Sequence, residues 1–171
     1  DKCELPEGAV TIVHGDLRDR HVLDSLPHKY DVITANPPYM KQGSGNLPSN
    51  SQKAHCRHEL RGGLSDFCRA ASENLASDGT FCLVLNSPRE AEAQQAVQNC
   101  GFRVVGRRGI FFRGLRKSFA LVCTRTSDTD GVLDTSGRAD VVDEEEIHVF
   151  ERDGSWSPGY LEICDNLGFE V

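Results

Sequence analysis

The chain has 171 residues, 38% of them apolar and 26% charged, with a formal net charge of −7. That length can bury a sizeable core, and the composition excludes a disordered or fibrous chain. No apolar run approaches the roughly 20 residues that a membrane-spanning helix needs, no signal-peptide pattern opens the chain, and no C-x-x-C pair points to structural zinc.

In chain order, "AVTIVHGD" (Ala9–Asp16) reads as a short apolar strand and "LRDRHVLDSL" as a helical turn or two. "YDVITA" (Tyr30–Ala35) is β-branched and apolar on both faces, as a buried parallel strand requires. It runs into Asn36, Pro37, Pro38 and Tyr39. Two prolines cannot continue a central strand, because each lacks an N–H and has a fixed φ. From Asn36 to about Arg57 the chain is rich in Gly, Ser, Pro and Asn, a loop of functional length. Leu60, Leu64, Phe67, Cys68, Ala71 and Leu75 fall at helical spacing, and Ser77-Asp78-Gly79 closes that helix. "TFCLVLN" (Thr80–Asn86) is a third buried strand. Pro88 to Gly101 carries both helix punctuation marks, proline in the first turn and glycine past the end.

"FRVVGRR" and "SFALVCTRT" predict two more strands, joined by the basic segment "GIFFRGLRK" (Gly109–Lys117) without a helix between them. Alternating strands and helices predict an α/β sheet, mostly parallel and covered on both faces, with this pair as an antiparallel edge hairpin. In such sheets ligands collect at the carboxyl ends of strands, where Asp16 and Asn36 lie. After Thr126 the chain turns acidic, with one apolar piece at Ile147–Phe150 and a "RDGS" turn.

Seven cysteines at irregular spacing, four of them (Cys68, Cys82, Cys100 and Cys123) in or beside apolar segments, favour buried free thiols and a reducing compartment. Charge is uneven. Asp128–Glu146 holds eight acids and one base (Arg138), a net −7, so the remainder sums to zero. Gly101–Ser127 holds seven bases and no acid. A basic stripe of Arg103, Arg107, Arg108, Arg113, Arg116 and Lys117, interleaved with Phe111 and Phe112, suits a phosphate backbone, although a solvated hairpin explains it nearly as well. His55 and His58 lack an identifiable third ligand, so no metal is expected.

The Asn-Pro-Pro-Tyr turn has a specific chemical use. An exocyclic amino nitrogen is a poor nucleophile because its lone pair is delocalised. Two acceptors aimed at its N–H bonds hold it and favour pyramidalisation. Asn36 offers an amide oxygen, and Pro37 a carbonyl whose direction the following proline restricts. Tyr39 offers a face for a flat base, worth roughly 1–3 kcal/mol. The alternative is a plain turn with Tyr39 as surface cover.

These residues resemble the motif IV segment of class I methyltransferases dependent on S-adenosylmethionine, in particular those that modify amino groups. From Asn36 to Leu85, with its Gly-Ser-Gly loop and "AHCRHE" element, the chain is similar to the bacterial adenine methyltransferases of valine tRNA, and "EEEIHVFERDGSWSPGYLEIC" resembles their C-terminal piece. The resemblance implies a Rossmann-like sheet and methyl transfer to the adenine amino group of RNA, with tRNA as partner, in the cytoplasm. DNA adenine, a protein glutamine, or a silent RNA-binding role are the alternatives. Asn36, Pro37, Pro38 and Tyr39 carry over as the target-base clamp, and Asp16, Leu17 and Asn36 as cofactor contacts, with Asp16 as a simple turn cap equally open. Lys41, Arg57, His58, Arg107, Arg108, Arg113, Arg116 and Lys117 are the expected nucleic-acid contacts. The resemblance puts the glycine-rich cofactor motif before Asp1. Residues 1–126 would then be the C-terminal two-thirds of the methyltransferase domain, 127–146 an acidic linker, and 147–171 an extension packed on the domain. Such an N-terminally incomplete sheet is expected to bind S-adenosylmethionine poorly alone.

Overall fold

The computed structural model describes residues 6, 8–26, 29–40, 59, 62–126, 142–143 and 146–169. A short helix, α1 (Arg20–Asp24), is capped by the Asp19 carboxylate, which accepts from the His21 N–H. The first strand, β1 (Tyr30–Ala35), runs into the double proline. Helix α2 (Leu64–Asn74) passes directly into β2 (Leu75–Asn86). A 3-10 turn (Ser87–Arg89) leads to α3 (Glu90–Asn99), and β3 (Phe102–Phe112) and β4 (Leu115–Arg125) follow. Two short strands, β5 (Val142–Asp143) and β6 (Ile147–Phe150), precede helix α4 (Pro158–Asn166).

The sheet order is β1-β2-β4-β3-β5, with β6 also on β3. Pairing is parallel for β1–β2, β3–β5 and β3–β6, and antiparallel for β2–β4 and β3–β4. The predicted hairpin is present and much longer than expected, because most of Gly109–Lys117 is itself strand. Phe112 faces Leu115 across a two-residue turn. Arg113 and Gly114 take φ of 54° and 77°, the left-handed pair that matches the twist of a tight hairpin. The flank of the hairpin is covered, since β5 and β6 lie along β3.

One face of the sheet is the core. Phe81, Leu83 and Leu85 of β2 and Phe119, Leu121 and Cys123 of β4 cluster with Cys68 and Ala71 of α2 and Ala93 and Val97 of α3. Phe81 and Phe102 meet with ring centroids 5.2 Å apart. Each fully buried Leu or Phe here contributes about 1.5–3 kcal/mol. Among the described residues, the expected cover on both faces is not found. Burial along β2 alternates, leaving Cys82 and Val84 only half-buried, as in a sheet with one packed face. Strand β1 also departs from expectation: Val32 is 61% exposed. Among the described residues β1 has a partner on one side only, so its other side lacks cover. The strand expected at Ala9–Asp16 does not form, and Ile12 is 89% exposed. An apolar segment becomes a strand only where a neighbour completes its hydrogen bonds.

Ser77-Asp78-Gly79 does not close α2 but lies in β2, where the pairing with β1 shifts register between Tyr30 and Val32. A Cβ on Gly79 would stand 2.9 Å from the Asp31 main-chain oxygen and 2.8 Å from the Leu75 side chain. Gly79→Ala is therefore expected to cost about 1–3 kcal/mol in urea unfolding, against the usual entropic benefit of alanine.

Cys68 and Cys123 are fully buried, and burial pushes both thiols up from 9.0 to about 12. Their stabilising effect is complete below pH 9 and is lost as pH rises towards 12, because the unfolded thiols ionise first. Iodoacetamide at pH 8 should label them roughly a thousandfold more slowly in the folded than in the urea-unfolded chain, as peptide mass spectrometry would record. Among the described residues no helix is long and apolar enough to cross a membrane.

Candidate active site

The carboxyl end of β1 carries the turn. Parallel pairing sets Ala35 beside Leu83 of β2, and the chain then leaves the sheet through Asn36. Asn36 is exposed, Pro37 is buried, and Tyr39 is 37% exposed. The turn thus has a buried root and an open rim, and the rim carries the amide and the ring.

What holds the root was not apparent from the motif. Arg89, 7% exposed at the end of the 3-10 turn after β2, reaches back to it. Its Nη1 donates to the Pro38 carbonyl at 3.0 Å. Its Nη2 donates to Glu59 Oε1 at 2.6 Å and to Glu92 Oε1 at 2.7 Å, and its Nε to Glu92 Oε2 at 3.2 Å. Burial opposes the charge on Arg89, but the hydrogen bonds and fields of Glu92 and Glu59 outweigh it and hold the guanidinium protonated above its ordinary range.

Glu59 ties the same point to α2. Its N–H donates to the Met40 carbonyl at 3.0 Å, while its Oε1 accepts from the Leu64 N–H at 3.2 Å, in the first turn of α2. The Asp66 carboxylate accepts from the Gly63 N–H at 2.9 Å, which satisfies another orphan donor there. The proline turn, the start of α2 and the end of β2 therefore meet on two side chains. The sequence pattern gives neither Glu59 nor Arg89 a role at this turn; the one available signal is an arginine following a strand–proline break.

The basic stripe divides. Arg107 and Arg116 converge on Glu90, at 3.3 and 2.8 Å. Arg108 lies on β3 and lines an open groove of about 450 Å³ beside α4 with His148 and Tyr160. Arg113 and Lys117 lie at the hairpin tip and are exposed. The tip stands at the same end of the sheet as Asn36, since β2 ends with Asn86 opposite Ser118 and the turn lies beyond. Arg152 joins it: a Cβ on Gly114 would lie 3.3 Å from Arg152 Nε. Lys41, Arg57 and His58, and almost all of the acidic segment 127–146, lie outside the described residues. The C-terminal piece pairs into the sheet through β6 and stacks Trp156 between Phe150 and Tyr160, with ring centroids 4.3 and 5.3 Å apart.

No protein-family model matches the sequence. Over 74 residues, 43% of the chain, it is 39% identical to the tRNA1(Val) (adenine(37)-N6)-methyltransferases of Histophilus somni strains 2336 and 129Pt. That match spans 29% of the length of those curated relatives. The fold superposes on the crystal structure of a predicted O-methyltransferase from Agrobacterium tumefaciens with a TM-score of 0.61 and 18% identity, covering 98% of this chain and 70% of that one. Over those 74 residues in sequence, and over nearly its whole length in fold, the chain is thus similar to methyltransferases.

The resemblance implies S-adenosylmethionine as methyl donor, and the candidate contacts can be tested against its nucleoside end. Asp16 and Leu17 are half-buried in the loop before α1. The Asp16 carboxylate accepts from Arg18 through Nε at 3.0 Å, Nη2 at 2.7 Å and the main-chain N–H at 2.9 Å. This is the local turn role that the sequence left open, so an adenine amino group would have to share the carboxylate with Arg18. The chemistry fits: the carboxylate is partly exposed and is an acceptor, and the Asn36 amide is open.

Proposed function

We propose that the intact protein transfers a methyl group from S-adenosylmethionine to the exocyclic amino group of adenine in RNA, with tRNA as the substrate class. The observation that carries this reading is the exposed Asn36 at the end of β1, on a turn whose Pro38 carbonyl is pinned by Arg89. The 39% identity to enzymes named for adenine N6 of tRNA1(Val) supports the choice of base and of RNA.

The donor supplies an electrophilic methyl on a sulfonium. Asn36 Oδ1 and the Pro37 carbonyl accept the two N–H bonds of the target and draw its lone pair out of conjugation, while Tyr39 stacks the base. As the N–C bond forms, the nitrogen gains positive charge, and two fixed dipoles facing it lower the barrier without reorganising. The sulfonium becomes a neutral thioether, and the proton leaves the nitrogen for water afterwards, so no strong base is required. A paired base must first be unstacked, at a cost of a few kcal/mol. Arg113, Lys117 and Arg152 supply a phosphate-binding rim at the same end of the sheet, where Arg107 and Arg116 serve Glu90 instead.

The test is transfer of labelled methyl by the intact protein to unmodified tRNA, with duplex DNA and proteins as competing acceptors and nucleoside mass spectrometry of the product. N6-methyladenosine in tRNA is the expected result. Label on a DNA base, on glutamine, or on nothing overturns it.

A further inference from the structure

We infer that Arg89 is a positioning residue for methyl transfer: its guanidinium holds the Pro38 carbonyl and thereby sets the acceptor pair of Asn36 and Pro37. The inference rests on the amino-group methylation proposed above for its catalytic meaning, but its geometry is independent of the substrate.

The mechanical argument starts with the backbone. The Pro38–Tyr39 peptide is planar, so a bond at the Pro38 oxygen also fixes the direction of the Tyr39 N–H and Cα. On the other side both proline φ angles are locked, and Pro37 is further restricted by preceding Pro38. One hydrogen bond therefore governs the chain from the Pro37 carbonyl to the Tyr39 Cα, from which the ring projects. Without it the prolines are stiff, but the stiff unit can swing about the Asn36 and Tyr39 backbones. The Glu59 N–H on the Met40 carbonyl is a second, weaker restraint one residue further on.

Only an arginine meets this geometry. Glu92 receives two donors of the planar fork, Glu59 shares one of them, and the remaining Nη1 points at Pro38. The two carboxylates orient the fork and offset the cost of burying it, so the donor facing Pro38 is fixed before any substrate arrives. A lysine has one nitrogen and cannot span Glu92, Glu59 and Pro38 together. Because Arg89 follows β2, the bond ties the clamp on β1 to the neighbouring strand and transmits strand spacing to the reacting atoms. A displacement near 1 Å at a reacting centre costs about a hundredfold in rate.

The test uses Arg89→Lys and Arg89→Gln in the intact protein. Arg89→Gln should lower kcat for tRNA methylation by about a hundredfold with KM for tRNA and donor within about threefold, and Arg89→Lys should recover part of the loss. Hydrogen exchange at the Tyr39 and Met40 amides should accelerate in both variants, while the amides of β3 and β4 stay protected. That second reading needs no substrate: if the wild type methylates no RNA, the functional proposal fails and the exchange experiment still decides the positioning role. Should Arg89→Gln unfold, Arg89→Lys carries the test. Unchanged kcat together with unchanged Tyr39 and Met40 exchange would overturn the inference, as would a rise in KM alone.

Discussion

Replacing Asn36 with alanine is expected to lower kcat for RNA methylation by about 10²–10³-fold, the loss that follows removal of one preorganised dipole from a charge-developing centre. The melting temperature should hardly move. Asn36 is exposed beyond the end of β1, and surface changes of this kind stay within about 0.5 kcal/mol. Tyr39 and the Pro37 carbonyl remain in the variant, so binding of the base should survive and KM for tRNA should rise only a few-fold. The effect belongs in kcat because the amide oxygen gains most from the charge that appears on nitrogen as the methyl arrives. Steady-state kinetics with the intact protein, paired with a thermal melt, separates this from general damage. A variant retaining full kcat would remove the acceptor mechanism, whatever else the protein does.

The same residues mark what a linear reading reaches. The turn at Asn36–Tyr39 is legible because its backbone constraint is local: prolines restrict their own backbone and their neighbour's, wherever the chain goes. Helix α3 is legible for the same reason, with Pro88 before it and Gly101 after it. Arg89 is not, because its partners Pro38 and Glu59 lie 51 and 30 positions away, and in sequence it looks like one more charge at a helix start. The compensation within the basic stripe is hidden on the same account. Glu90 is 17 positions from Arg107 and 26 from Arg116, so a window over Gly101–Ser127 counts both cations as uncompensated. Ala9–Asp16 shows the reverse failure: its apolar pattern is that of a strand, but strands are made by their neighbours, and none pairs with it among the described residues.

Arg125→Ala is expected to destabilise the fold by about 3 kcal/mol. Helix α2 ends at Asn74 and β2 starts at Leu75, whose N–H donates back to the Ala71 carbonyl. The last turn of α2 contains no basic residue of its own. Its carbonyls are shared out: Asn74 Nδ2 meets Ala70 O, the Leu75 N–H meets Ala71 O, and Lys29 meets Glu73 O. The half-buried Arg125, the last residue of β4, meets Ser72 O and the first two carbonyls of β2. The guanidinium donates to the Ser72 carbonyl, to Leu75 O at 2.7 Å and to Ala76 O at 3.3 Å. One charged donor serves the Ser72 carbonyl at the negative end of the helix dipole and two carbonyls at the start of β2, and alanine would remove all three bonds. Hydrogen bonds to a charged group contribute about 1.5–3 kcal/mol, and stranded buried carbonyls add to the loss. Its partners are neutral carbonyls, so the effect should persist at high salt, unlike that of the exposed Arg18–Asp16 pair. Urea unfolding at low and high ionic strength would measure both features. Because α2 begins on the Leu64 N–H held by Glu59, a helix loosened at its far end also slackens the contact that anchors Met40. Arg125→Ala should therefore speed hydrogen exchange at Met40 as well as lowering the urea midpoint, and a midpoint unchanged within error would show that water serves those carbonyls as well as the guanidinium does.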